Sequence, residues 1–230
     1  MTYRFRPFVV LSMTLLLASS AAAGPPLICH PFEIGGAKSL PWQGPAWMAV
    51  DPGYDANRVV DDTLALLTPD TPVLVRMETL RRATVYTRND PGRAGQLLAR
   101  LADRTAGKDS GSRDYALALF DIGYLTETFK QAAWISASSR EGGSKFQPNP
   151  AKDGYAQITR AIALTGDPSM EFAAAIVASD RRTYGEGKYR AHLMRAVAGA
   201  PENSLLTRNL TAQFGADQVG ELRRETQKSR

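Results

Sequence analysis

The sequence predicts an all-α domain of stacked helical hairpins behind an irregular N-terminal arm. Three observations predict it. From residue 58 onward apolar residues recur at helical spacing, and no stretch alternates apolar with polar as a half-buried strand would. Three pairs, Thr71-Pro72, Asp90-Pro91 and Asp167-Pro168, set a cap residue before a proline. That order suits a helix start, because the first helical position has no use for an amide hydrogen. Before residue 58, prolines, glycines and tryptophans crowd the chain, as in Pro41-Trp42, Gly44-Pro45-Ala46-Trp47 and Asp51-Pro52-Gly53. Proline disfavours helix at and just before itself.

Taken in chain order, the elements are as follows. Arg4 and Arg6 precede an apolar run, Phe8 to Ala18, and the small residues Ser19-Ser20-Ala21-Ala22-Ala23. This is the pattern of a cleavable export signal over residues 1–23, cut between Ala23 and Gly24. The run falls short of the roughly 20 residues that a bilayer-spanning helix needs. Ile28 before Cys29, with Pro25-Pro26 upstream, excludes lipid attachment at that cysteine. The mature chain is therefore expected to be periplasmic or extracellular. Residues 24–57 form the arm, extended with at most short helical pieces and pinned to the body by Phe32, Trp42 and Trp47.

Residues 58–230 form one helical domain. The helix from Pro72 to Thr87 places Val73, Met77, Leu80 and Thr84 on one face. The next, from Pro91, has the stripe Ala94, Leu97, Leu98, Leu101, Ala102 and Thr105. The segment from Asp114 to about Ser136 begins apolar on all sides, which places it at the centre. Further helices are expected over 152–165, 168–180, 187–198, 203–213 and 215–227, and a flexible Ser/Gly/Pro-rich loop over 138–152.

Charge excludes one class of function. The formal net charge of +5 falls by two when Arg4 and Arg6 leave with the signal, and the remaining basic residues cluster only in pairs. That is a mildly basic surface without the basic stripe that nucleic-acid binding needs. A single cysteine forms no internal disulfide, and a chain of this size needs none to bury a core.

Two segments resemble each other. Leu80-Arg81-Arg82-Ala83, Asp90-Pro91 and Asp103-Arg104 match Ile158-Thr159-Arg160-Ala161, Asp167-Pro168 and Asp180-Arg181, with one residue lost in the connection. Each reads as a helix, a turn and a second capped helix. Such hairpins bury their apolar faces only by stacking. The small residues Ala83 and Ala161 stand where helices would approach closely. The pattern resembles tetratricopeptide-type hairpins without their full signature or spacing. The runs Cys29-His30-Pro31-Phe32-Glu33-Ile34-Gly35 and Lys38-Ser39-Leu40-Pro41-Trp42, with Met170-Glu171-Phe172-Ala173-Ala174-Ala175, also resemble an uncharacterised family of predicted secreted bacterial proteins. That likeness implies an exported helical protein and no particular chemistry.

The candidate chemistry is sparse. Cys29 and His30 offer thiolate and imidazole, good ligands for copper or zinc. A site needs about three or four ligands, and Glu33 or Met48 are the nearby completions. Cys29 is otherwise a packed thiol, or a link between two copies of the chain. His192 reads as a structural histidine on a helix. Gly35-Gly36-Ala37-Lys38-Ser39 lacks the glycine before the lysine and the preceding strand of a phosphate loop. Asp61-Asp62 with Glu78 invite comparison with an acid pair for sugar hydrolysis, but acids near a helix start are favoured by its dipole. Asn209-Leu210-Thr211 matches a glycosylation acceptor that a bacterial export route leaves idle. No catalytic residue and no cofactor is assigned. The expected function is binding: an exported protein offering a helical groove to a protein or peptide partner in the cell envelope. The alternative is a metal-handling or redox protein using Cys29 and His30.

Overall fold

The computed structural model describes residues 26–138, 145–146 and 152–228. The signal segment and most of the predicted loop, residues 139–144 and 147–151, lie outside the described residues. Among those described, the only β pairing is an isolated bridge between Trp42 and Val50. The fold is all-α, as the spacing of apolar residues predicts.

The arm begins with a single helical turn, α1 (Pro26–Cys29), and returns to helix at a 3-10 turn, Ala56–Arg58. Then come α2 (Val59–Leu66), α3 (Val73–Thr87), α4 (Pro91–Asp103) and α5 (Arg113–Ser138). After them follow α6 (Gly154–Thr165), α7 (Pro168–Val177) and the short α8 (Arg181–Tyr184). The chain ends in α9 (Glu186–Gly199), α10 (Leu205–Phe214) and α11 (Ala216–Lys228).

The caps explain the starts. Asp90 accepts from the Arg93 amide and Asp167 from the Ser169 amide, each followed by a first-turn proline. Thr71 does not cap α3. Its hydroxyl donates to the Leu66 carbonyl at 2.7 Å and receives the Thr68 amide at 3.1 Å, so it closes the end of α2. Pro72 occupies the cap position itself, with no side-chain bond.

Three helices form the centre. Every residue of α5 from Ala116 to Phe129 is buried, as its unbroken apolar start requires. Thirteen positions of α3 are buried, and α7 is buried from Met170 to Val177. Around them, α5 packs along α3, α4 and α6, and α7 along α6, α9 and α3. Outer helices such as α4 bury one stripe: Ala94, Leu97, Leu98 and Leu101.

Both halves of the internal likeness are helix pairs, and Leu80, Ile158, Ala83 and Ala161 are all fully buried. Their burial is reversed, however. In the first pair the leading helix α3 is central and α4 is outer. In the second the leading helix α6 buries only one face, while α7 is central. The pairs share inward positions and exchange inner and outer helices.

The arm goes deeper than its tryptophans suggest. Leu27, Ile28 and Leu40 are at most 1% exposed and Phe32 is buried, whereas Trp42 and Trp47 stay half-exposed. The Arg81 guanidinium lies 4.6 Å from the centre of the Trp42 ring, a cation–π contact that needs no full burial. The aliphatic residues and Phe32 hold the arm; Trp42 covers it. Residues 26–57 therefore complete the core of the helical body.

Candidate functional site

Cys29 ends α1, half-buried, with His30 after it. Burial raises the thiol, and the charge of Arg81 opposes that rise only in part. Glu33 instead pairs with Arg208 at 2.8 Å, and Met48 packs with Trp42, Trp47 and Val50 against Ile28 and Val85. Among the described residues no group of three or more His, Cys, Asp or Glu is arranged to hold an ion. Glu33 is thus engaged by Arg208, and Met48 sits in the apolar patch around Ile28.

The acids separate by role. Glu78 is fully buried and acts as a node. It receives both Arg81 Nε and NH2 at 2.8 Å, Arg82 Nε at 2.7 Å, and the Phe32 amide at 3.0 Å. Arg81 reaches the carbonyls of Ile28 and Trp47, and Arg82 that of Leu40. This network fastens the arm to α3. Asp62 is held by Arg58 and Tyr54, and Asp61 is an exposed helix-start acid. Asn209 is buried, with its amide donating to the Glu33 and Leu205 carbonyls. It is an anchor for the arm and not an accessible acceptor for sugar.

A cavity of about 360 Å³ opens between α2, α3 and α5. One stripe of α5 lines it: Asp114, Leu117, Ala118 and Asp121 share a face at helical spacing. Opposite lie Leu64 and Leu67, and Arg76 of α3 and Arg104 from the end of α4 bring charge. Their placement follows from the end of α2, whose last carbonyls lack helical partners. Arg104 donates to the Leu64 and Leu67 carbonyls at 2.6 and 2.7 Å. Arg76 donates to the Thr71 carbonyl at 3.0 Å and to that of Thr68.

Arg76 also pairs with Asp121 Oδ2 at 2.6 Å, both side chains 2% exposed. The other carboxylate oxygen, Oδ1, is buried without a hydrogen-bond partner. Burial pushes the Asp121 carboxyl up to about 6, against the pull of Arg76 and Arg104. Burial also lowers Arg104. At the mouth, Lys108 and Asp114 form a loose pair at 3.7 Å and are well exposed. The cavity thus has an apolar side and charges of both signs at its rim, and the unpartnered Asp121 oxygen is buried beside it. A buried polar atom without a partner is costly and uncommon in a folded protein.

A second cluster joins three helices. The Tyr155 hydroxyl (α6) contacts His192 Nε2 (α9) at 2.7 Å, and His192 Nδ1 contacts Glu171 (α7), which also receives Arg195. Burial alone would raise the Glu171 carboxyl; His192 and Arg195 hold it below the usual carboxylate range. The three inner side chains are buried, with both imidazole nitrogens engaged. His192 is a satisfied core histidine.

Sequence reasoning missed Arg76, Arg104 and Asp121. A signal existed for two of them, since Arg76 stands in Val73-Leu74-Val75-Arg76-Met77 and Asp121 in Leu117-Ala118-Leu119-Phe120-Asp121-Ile122. A lone charge inside an apolar helix must find a partner or a purpose. No protein-family model, curated protein or solved structure matches this chain.

Proposed function

We propose that the mature chain is an exported binding protein of the cell envelope, stacked in the manner of helical-hairpin proteins. It seats a protein or peptide partner at the cavity between α2, α3 and α5. The observation that supports this reading is the cavity itself, about 360 Å³ and open at the surface, with the apolar side chains Leu64, Leu67 and Leu117 on its walls and the cations Arg104 and Lys108 beside them. Export rests on the signal pattern of residues 1–23, and N-terminal sequencing of the exported protein should begin Gly24-Pro25-Pro26.

Thermal-shift screening with a library of short peptides tests the binding. Some members should stabilise the mature protein and not Ala118→Leu, in which the longer side chain fills the cavity. Circular dichroism of the variant verifies that its helices persist. If no peptide stabilises the wild type, or if the same peptides stabilise both proteins equally, the cavity is not the binding site.

A further inference from the structure

We propose that the arm docks the protein on the interface of a lipid bilayer, through an uncharged apolar patch that gathers all three tryptophans of the chain. This surface is separate from the cavity between α2, α3 and α5.

Between Lys38 and Asp51, residues 39–50 carry no charged side chain. Within that stretch Trp42, Trp47, Met48 and Val50 gather with Ile135 of α5 over buried Ile28, Val85 and Ala132, and these five side chains keep part of their surface exposed. One turn of α5 extends the patch. Gln131 accepts the Leu27 amide of α1 at 2.8 Å. Trp134 follows Gln131 by three positions, so it shares the side of the helix that faces α1, and it is 62% exposed. Large apolar side chains clustered at a surface mark an interaction site.

The polar groups of the patch say what covers it. A protein interface makes about one hydrogen bond per 100–200 Å² and needs donors and acceptors that point outward. Here many turn inward. Trp42 Nε1 donates to the Ala46 carbonyl and the Gln43 side chain to Asp51, both at 3.2 Å. The Gln43 and Ala49 amides donate to the Ala49 and Ala46 carbonyls. The carbonyls of Leu40, Pro41 and Trp47 receive Arg82, Tyr86 and Arg81. The two guanidinium groups against the Trp42 ring are themselves paired with Glu78. Polar groups bonded within the chain lose least on entering lipid, where water is missing. Tryptophan is the side chain enriched at the depth of the bilayer interface.

The length of the chain brings a bilayer within reach. α1 starts at Pro26, eight residues after Ala18, where the apolar run of the export signal ends. While that run sits in the membrane, the start of α1 stays within about 30 Å of the bilayer, because an extended chain spans at most ~3.6 Å per residue. Only this distance depends on export; the chemistry of the patch does not.

Sedimentation of the mature protein with phosphatidylcholine vesicles provides the test. Wild type should bind them, and raising the salt from about 50 to about 500 mM should change the affinity less than about twofold, since no exposed charge carries the contact. Bromine atoms on the lipid chains should quench the tryptophan emission. The double variant Trp47→Gln/Trp134→Gln should bind at least about tenfold more weakly, with an unchanged circular dichroism spectrum. Trp134→Gln alone, at the more exposed site, should weaken binding by a smaller factor, and it decides the matter if the double variant fails to fold. Ala118→Leu should bind vesicles as wild type does, which keeps this surface distinct from the peptide cavity. Binding that needs phosphatidylglycerol and disappears at high salt would overturn the proposal in favour of adhesion by the basic chain. A wild-type dimer that the double variant turns into a monomer would overturn it too, giving the patch to a second copy. Failure to sediment with either vesicle refutes the membrane and leaves the cavity reading standing.

Discussion

The Tyr155 hydroxyl and Nε2 of His192 share a hydrogen bond of 2.7 Å that ties α6 to α9. Glu171 and Arg195 meet Nδ1 on the other side of the ring. Tyr155→Phe removes the hydroxyl and leaves a buried nitrogen without a partner. The loss should cost about 1–3 kcal/mol, read by urea unfolding at neutral pH. An unchanged midpoint would mean that Nε2 finds another partner.

Glu78 and Asp61 make a paired prediction, because sequence alone offered both as acids of interest. Glu78→Gln leaves Arg81 and Arg82 without their countercharge inside the core, and removing one partner of a buried ion pair costs about 3–5 kcal/mol. Asp61→Asn touches only an exposed pair with Arg100 at 3.7 Å and should stay within about 0.5 kcal/mol of wild type. Limited proteolysis adds a readout: Glu78→Gln should release the arm to cleavage between Phe32 and Trp47. If both variants unfold alike, the arm is not held by this node.

Those contrasts mark how much was legible. Helical period and Asp-Pro caps located the helices, because both depend on near neighbours along the chain. Thr71 misled by one residue, since its hydroxyl turned back to Leu66 where a cap would turn forward. Charges were harder. Arg81, Arg82 and Glu78 share one helix, but the Ile28, Phe32 and Leu40 backbone groups that they serve lie far back along the chain. The cavity joins residues of four elements, and no spacing encodes that meeting. Only the lone charges Arg76 and Asp121 in apolar runs announced it.

Asp121 predicts a pH dependence whose sign runs against the usual carboxylate. Its folded value of about 6 lies above its ordinary 3.8, because burial disfavours the charged form. The folded state therefore holds this proton more tightly than the unfolded one. The contribution is fully present below the ordinary value and is lost as pH rises through about 6. Glu171 is depressed and acts oppositely, losing its contribution as pH falls. Asp121→Asn removes the first effect alone. Urea unfolding from pH 4 to 7 should show wild type losing stability relative to Asp121→Asn across that interval. A constant difference would place the titration of Asp121 outside it.

Two glycines make a close helix contact between α5 and α6. Gly123 of α5 meets Gly154 at the start of α6: a Cβ on Gly123 would stand 2.5 Å from the Gly154 carbonyl oxygen and 3.0 Å from Gln157 Cβ. In an open helix, glycine to alanine gains up to about 1 kcal/mol from backbone propensity. Here backbone oxygen blocks the new methyl, and overpacking of this kind costs about 1–3 kcal/mol. Gly220 in α11 supplies the control, since nothing lies within 4 Å of its Cβ position. Gly220→Ala should therefore stabilise the protein and Gly123→Ala destabilise it, opposite signs for one chemical change. The consequence reaches the cavity. Asp121 and Gly123 are two residues apart, about 200° around the helix, so α5 presents glycine to α6 and Asp121 to the cavity on nearly opposite sides. Displacing α5 from α6 should press Asp121 towards α3 and narrow the cavity. Any ligand found by titration should bind Gly123→Ala more weakly and Gly220→Ala unchanged. Equal binding to both would show that the crossing and the cavity are mechanically independent.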